Sequence, residues 1–255
     1  MNQLVAIAVY TFREAIRNKV LYSIIFFAIV LLGLSSVLST ASLQQDARVV
    51  QDVGLMVLSV FSDLIAIFIG VTMLYIELER KTVYNLLSKP IARATYFLGK
   101  FLGIALTLLV QFLLMAAVLS LVVLDRGGSL DVTFAQALLL TWVQCILIAA
   151  IALFFSSFST PWVSGFLTLG LWLVGNLLQE LERYLPQIEE PVAHTILSGV
   201  VRGLPDLNLF TLTTQVTYGI EVPWTYVGQA LLYAGAWGAA FLLTGLLIFQ
   251  RRDFI

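Results

Sequence analysis

Six stretches of nearly unbroken apolar character, at about 20–40, 55–76, 101–124, 135–156, 162–180 and 225–249, dominate this chain of 255 residues. About 20 apolar residues in a helix cross the hydrocarbon layer of a bilayer. Lipid offers no hydrogen bonds to the backbone, so runs that are apolar throughout rather than alternating must satisfy their amides as helices. A soluble core offers no alternative, because 60% of the residues are hydrophobic and 11% charged, less than half the charged share of an ordinary globular domain. The expected fold is all-α: a polytopic membrane protein with six transmembrane helices, read as one membrane domain over residues 1–255. The first run lacks a small-residue cleavage site and follows a charged amphipathic stretch, so it reads as a retained span.

Orientation follows from the basic residues. With the N-terminus in the cytoplasm, Arg13, Arg17, Lys19, Arg80, Lys81, Lys89, Arg93, Lys100, Arg251 and Arg252 fall inside, and Arg48, Arg126, Arg183 and Arg202 outside. The positive-inside rule favours this arrangement, with both termini cytoplasmic. Acidic residues from Asp46 to Glu221 outnumber the bases on the outer side, so the net charge of −1 hides an asymmetry across the bilayer. No nucleic-acid partner is indicated.

Residues 2–19 place Leu4, Ile7, Ala8, Phe12, Ala15 and Ile16 on one side, with Arg13, Glu14, Arg17 and Asn18 breaking in on the other. This suits a helix lying in the inner interface. Between spans two and three lies the island ELERKTVYNLLSKPIARATYFLGK, from Glu77 to Lys100 and broken once by Pro90. Val83, Leu86, Leu87 and Ile91 recur at three-to-four spacing among Glu79, Arg80, Lys81, Asn85 and Lys89. The pattern is that of a short surface helix that a cytosolic partner could grip, or of a solvated loop whose charges fix topology. After span five, Glu180 to Pro223 is too long for a plain connection and is expected to hold short helices, with PVAHTILSGVVRGL the best candidate.

Small residues let helix backbones approach in a membrane. Gly99 and Gly103, the four-residue series Ala230, Ala234 and Gly238, and the glycines 165, 170 and 175 are the sets of interest; packing within the chain competes with a dimer seam as their role. Chemistry is sparse. One Cys, one His and the absence of HExxH, GxSxG and GxxxxGK[ST] leave no zinc hydrolase, serine hydrolase or ATPase signature. Cys145 reads as an inert mid-span residue, and His194 beside Glu189 and Glu190 as a solvated histidine rather than a metal site. Asp63 is the one ionisable residue inside a span: it lies either at depth, where a carboxylate is costly and marks function, or at the outer interface.

The segments TFREAIRNK ahead of span one, ELERKTVYNLLSKPIARATYFLGKFLG after span two, SSFSTPWVSG, LPDLNLF and IFQRRDF are spread over nearly the whole chain. In these the chain resembles the permease subunits of ABC transporters of the ABC-2 type, in the group that includes permeases associated with multicopper-enzyme maturation. In that family two six-span subunits pair, each docks a separate ATP-binding subunit, and the loop between spans two and three forms a coupling helix. The resemblance implies that Glu77, Glu79, Arg80, Lys81, Thr82, Leu86, Leu87, Lys89, Pro90 and Arg93 serve the contact with the ATPase. Glu77, Glu79, Arg80 and Thr82 would form its polar hinge, and Arg13 and Arg17 would lie in an interfacial connecting helix.

No cofactor or metal is then expected on this chain, since ATP and Mg would be held by two copies of the partner ATPase. Further partners implied are membrane lipids and a second copy of the chain or a related permease, in a bacterial cytoplasmic membrane. The spans hold only mild polar groups such as Thr72, Gln111, Gln144 and Asn176, which points to a lipid, an amphiphile or a hydrophobic peptide as substrate, and the resemblance implies export as the commoner direction. An alternative is a subunit that transports nothing and passes ATPase motion to a partner assembly outside, a reading favoured by the long acidic outer segment. A third, an intramembrane enzyme, rests on Asp63 alone.

Overall fold

A computed structural model describes residues 3–17, 22–39, 46–79, 92–187 and 191–251. Among these the chain is helical, without strands. Its elements are α1 (Gln3–Arg17), α2 (Tyr22–Ser39), α3 (Asp46–Glu79), α4 (Arg93–Asp125), α5 (Val132–Ser156), α6 (Pro161–Tyr184), α7 (Pro191–Gly203), α8 (Thr213–Tyr218) and α9 (Trp224–Arg251). Five of them, α3, α4, α5, α6 and α9, are long and apolar enough to cross a membrane, and α2 adds a shorter apolar stretch over Ile24–Gly33. The spans expected from the apolar runs are all present as helices. Two reach well beyond their runs, because the charged ends Asp46–Asp52 and Arg93–Lys100 continue the helix instead of breaking it.

Helix α5 is apolar on every side and sits at the centre, packed by α3, α9, α4 and α6. Helices apolar all round belong inside a bundle. Because lipid tails are as apolar as leucine, the helices are held by close packing and interhelical hydrogen bonds rather than by the hydrophobic effect. The glycines show where backbones meet. A Cβ on Gly70 of α3 would fall 2.6 Å from the Ala152 Cβ of α5, and Gly54 of α3 is filled by Leu119 of α4. On α9, Ala230 and Ala234 are buried against the bundle, so that small-residue series packs within the chain.

The ends of the helices follow from local chemistry. Helix α4 stops in a Schellman turn: Gly128 N–H donates to the Val123 carbonyl at 2.9 Å and Gly127 N–H to that of Leu124 at 3.0 Å, with Gly127 left-handed at φ 75°. Pro161 opens α6 at its first turn, where no amide is lost. The predicted outer helix PVAHTILSGVVRGL appears as α7, and α8 is a further short helix that the pattern did not reveal.

Candidate functional site

One end of the molecule, where α1 and the end of α9 meet, is built around the start of α4. Gly99 and Gly103 lie under α1: a Cβ on Gly103 would come 2.5 Å from the Thr11 Cβ and 2.7 Å from the Ala8 carbonyl. Ile7, Thr11 and Ala15, spaced one helical turn apart, are the buried stripe of α1 that fills this seam. One turn of α4 between the two glycines carries Lys100, whose fully buried ammonium lies 3.5 Å from Glu14 Oε2 of α1. Arg13 points away from this seam and is exposed, and Arg17 is the last residue of α1.

Arg93, at the first position of α4, donates from Nη1 to the Gln250 carbonyl at 2.7 Å, near the end of α9. Phe249 stacks beside Tyr96 with centroids 6.0 Å apart and packs against Phe97 at 5.7 Å. The entrance of α4 is thus clamped on one flank to α1 and on the other to the end of α9. Glu77 and Glu79 belong to the last turn of α3. Arg80, Lys81, Thr82, Leu86, Leu87, Lys89 and Pro90 lie outside the described residues.

Deeper in the bundle, Asp63 of α3 is fully buried. Its Oδ2 accepts hydrogen bonds from Gln144 Nε2 of α5 at 2.7 Å and from Trp172 Nε1 of α6 at 2.8 Å. Among the described residues its Oδ1 has no hydrogen-bond partner. Gln144 and Trp172 each sit midway along their helices, about 18 Å from either end at 1.5 Å per residue. The carboxylate is therefore enclosed by the protein on all sides, among α3, α5 and α6. Cys145, next to this cluster, is buried and donates to the Ser62 carbonyl at 3.4 Å.

Between Asp63 and the Glu79 end of α3, α3 and α6 border an apolar groove of about 440 Å³, lined by Leu64, Phe68 and Val71 on one side and by Trp162, Phe166 and Leu169 on the other. Its aromatic rims are open, Phe68, Trp162 and Phe166 each being more than half exposed. On the other side of Asp63, the C-terminal half of α6 is fastened by the LPDLNLF segment. Leu207 N–H donates to the Gly175 carbonyl at 3.2 Å and its buried side chain covers Gly175, where a Cβ would come within 2.9 Å of it. Asp206 Oδ1 accepts from Asn208 N–H at 3.0 Å and Asp206 N–H donates to Tyr233 Oη at 2.8 Å, fixing the turn on α9.

These features are those of a multi-pass helical membrane protein, and a comparison with protein families decides which kind. The sequence profile of the ABC-2 family transporter protein matches residues 5–254. The chain belongs to the ABC-2 transporter family. Curated proteins gave no match. An ABC-2 membrane protein is the multi-pass permease subunit of an ABC transporter, is not itself the catalytic component, and in general partners an ABC ATPase subunit. In this permease, sequence reasoning singled out Asp63 without its partners. Gln144 and Trp172 were invisible as such, being 81 and 109 residues away. It also treated Lys100 as one more cytoplasmic base, whereas the side chain is buried in the α1–α4 seam.

Proposed function

We propose that this permease exports a lipid, an amphiphile or a hydrophobic peptide, driven by two copies of a separate ATPase that grip the segment between α3 and α4. The observation that carries the substrate class is the groove between α3 and α6, which offers aliphatic and aromatic side chains and no charge. A strongly charged solute would lose its hydration there with nothing in return. The chain works as one membrane domain in a bacterial cytoplasmic membrane, paired with a second copy or a related permease, with both termini inside. ATP and Mg are held by the partner, and this chain binds no cofactor.

Force would enter at residues 80–91, with Glu77 and Glu79 on the α3 side and Arg93 on the α4 side. Helix α3 is one uninterrupted helix of 34 residues, so a push at its inner end tilts it as a unit. Helix α4 starts as part of a block with α1 and the end of α9, so the same push is shared by three helices. The experiment is ATP-dependent movement of a fluorescent lipid across vesicles holding permease and ATPase. Flux that needs ATP hydrolysis supports the reading, and ATP turnover with no flux of any amphiphile removes it.

The alternative, a subunit that passes motion to an outer partner, has one observation in its favour. Thr217 Oγ1 of α8 donates to Asp52 Oδ1 of α3 at 3.3 Å, and Gln51 Nε2 donates to the Ser129 carbonyl at 2.9 Å, so the outer end of α3 is tied to the outer cap. A tilt of α3 would then be carried to α8 and its neighbours. Cross-linking of an outer protein to α7 or α8 that depends on ATP favours this second reading.

A further inference from the structure

Helix α6 is the least embedded of the helices that border the groove. Its buried residues are Ser164, Thr168, Gly175 and Leu178, and one side of it, from Trp162 to Leu177, is turned outward. In lipid an outward apolar face does not drive the helix back onto the bundle, so its few polar and close-packed contacts decide where it stays. Among the described residues these contacts include Ser164 Oγ with Ser159 Oγ at 2.6 Å near the inner end, Trp172 Nε1 with Asp63 Oδ2 at 2.8 Å at mid-height, and Gly175 with Leu207 and with Asn208 Nδ2 toward the outer end. The inner contact joins α6 only to its own preceding turn, and the outer one joins it to the cap segment. Asp63 is therefore the polar group through which α6 is fastened to α3.

We propose that Asp63 is a clasp that positions α6: by accepting Trp172 and Gln144 on one oxygen it holds three spans together, and release of Trp172 lets α6 swing from α3 and widens the groove between them. The groove begins at Leu64, directly beside the clasp, and its opposite wall ends at Leu169, one turn below Trp172. Loss of the bond thus acts on the upper edge of the groove first. Gln144 keeps Asp63 attached to α5 when Trp172 leaves, so α3 and α5 stay together while α6 moves. The role of the widened groove in transport rests on the function proposed above; the clasp itself does not, and its test needs neither ATPase nor substrate.

The test is a distance measurement between spin labels on the full chain in lipid nanodiscs. One label replaces Phe68 of α3 and the other Gly165 of α6, which has open space around it. A second pair on Met56 and Ala135, both exposed, reports α3 against α5. Trp172→Phe keeps the ring and removes the donor; one interhelical hydrogen bond in a membrane shifts an attached-to-detached ratio roughly three- to fifteenfold, so a longer α3–α6 distance should gain by that factor while the α3–α5 distance holds. Asp63→Asn retains an acceptor oxygen for both donors and should keep the short distance; Asp63→Leu should lose it. An unchanged α3–α6 distance in both Trp172→Phe and Asp63→Leu overturns the clasp, as does a lengthening in Asp63→Asn equal to that in Trp172→Phe. Failure of lipid flux with the distances behaving as expected would instead count against the proposed function alone.

Discussion

Lys100 of α4 and Glu14 of α1 meet 3.5 Å apart with the lysine fully buried and the glutamate 18% exposed. The pair stands between Gly99 and Gly103, where α1 lies closest to α4, so the charge is buried by the same close approach that those glycines allow. Taking an ammonium out of water is costly, and an opposite charge in the seam offsets that cost. Helix α1 is thereby fixed on the start of α4.

Lys100→Ala should leave Glu14 facing an apolar seam. Removing one partner of a buried pair costs about 3–5 kcal/mol, and the partial exposure of Glu14 places this one near the lower end. The check is thermal unfolding of the purified permease, where Lys100→Ala and Glu14→Gln should both unfold earlier than the wild type. Equal, unchanged stability in both would mean that the pair contributes nothing.

Gly103→Leu should push α1 off its seat, since even a Cβ meets Thr11 at 2.5 Å and the backbone carbonyl of Ala8 cannot retreat. Overpacking of this kind costs about 1–3 kcal/mol. Limited proteolysis from the N-terminus should speed up in Gly103→Leu and stay as in the wild type for Gly165→Ala, where no atom lies within 4 Å.

Leu86→Asp with Leu87→Asp should abolish co-purification of the ATPase or uncouple its ATP turnover, because in the proposed contact the two leucines fill an apolar groove of the ATPase, where a carboxylate loses its hydration at a cost of several kcal/mol. Arg183 and Arg202, placed on the outer side, should tolerate reversal with ATPase binding intact. Stoichiometric binding and normal turnover in the leucine double variant would reduce the island to a topological anchor.

A cysteine introduced at Ser88 or Ile255 should react with a polar maleimide only from the inner side, and one at Gln187 only from the outer side. Outer labelling at position 88 would reverse the proposed orientation. Native Cys145, buried among the spans, should stay unlabelled in both cases.

The spans were legible because runs of about 20 apolar residues have one solution in lipid, and α7 because a proline opens it and a glycine closes it. Their ends were less so. Asp46, Arg48 and Asp52 read as an outer loop, yet they belong to α3, since charged residues at a membrane surface are as content in a helix as out of it. Gly99 and Gly103 announced a close contact, but which helix they receive is a tertiary fact. The burial of Asp63 could not be read from its own helix. What encloses it is a glutamine and a tryptophan on two other helices, and hydrogen bonds across 81 and 109 residues leave no periodic trace. The LPDLNLF segment carried a family likeness without a reason; the turn from Asp206 to Asn208 that seats Leu207 on Gly175 supplies one.

Asp63 divides α3 almost equally, with Glu79 at one extreme and Asp46 at the other, so each arm measures about 25 Å at 1.5 Å per residue. A rod pinned at its midpoint behaves as a seesaw: whatever displacement is imposed below the fulcrum returns above it with similar size and opposite sense. With arms of that length, a tilt of about 5° would displace each tip by about 2 Å. Narrowing at the Glu79 end and widening at the Asp46 end would then be a single event, with no second moving part needed to keep the two in antiphase.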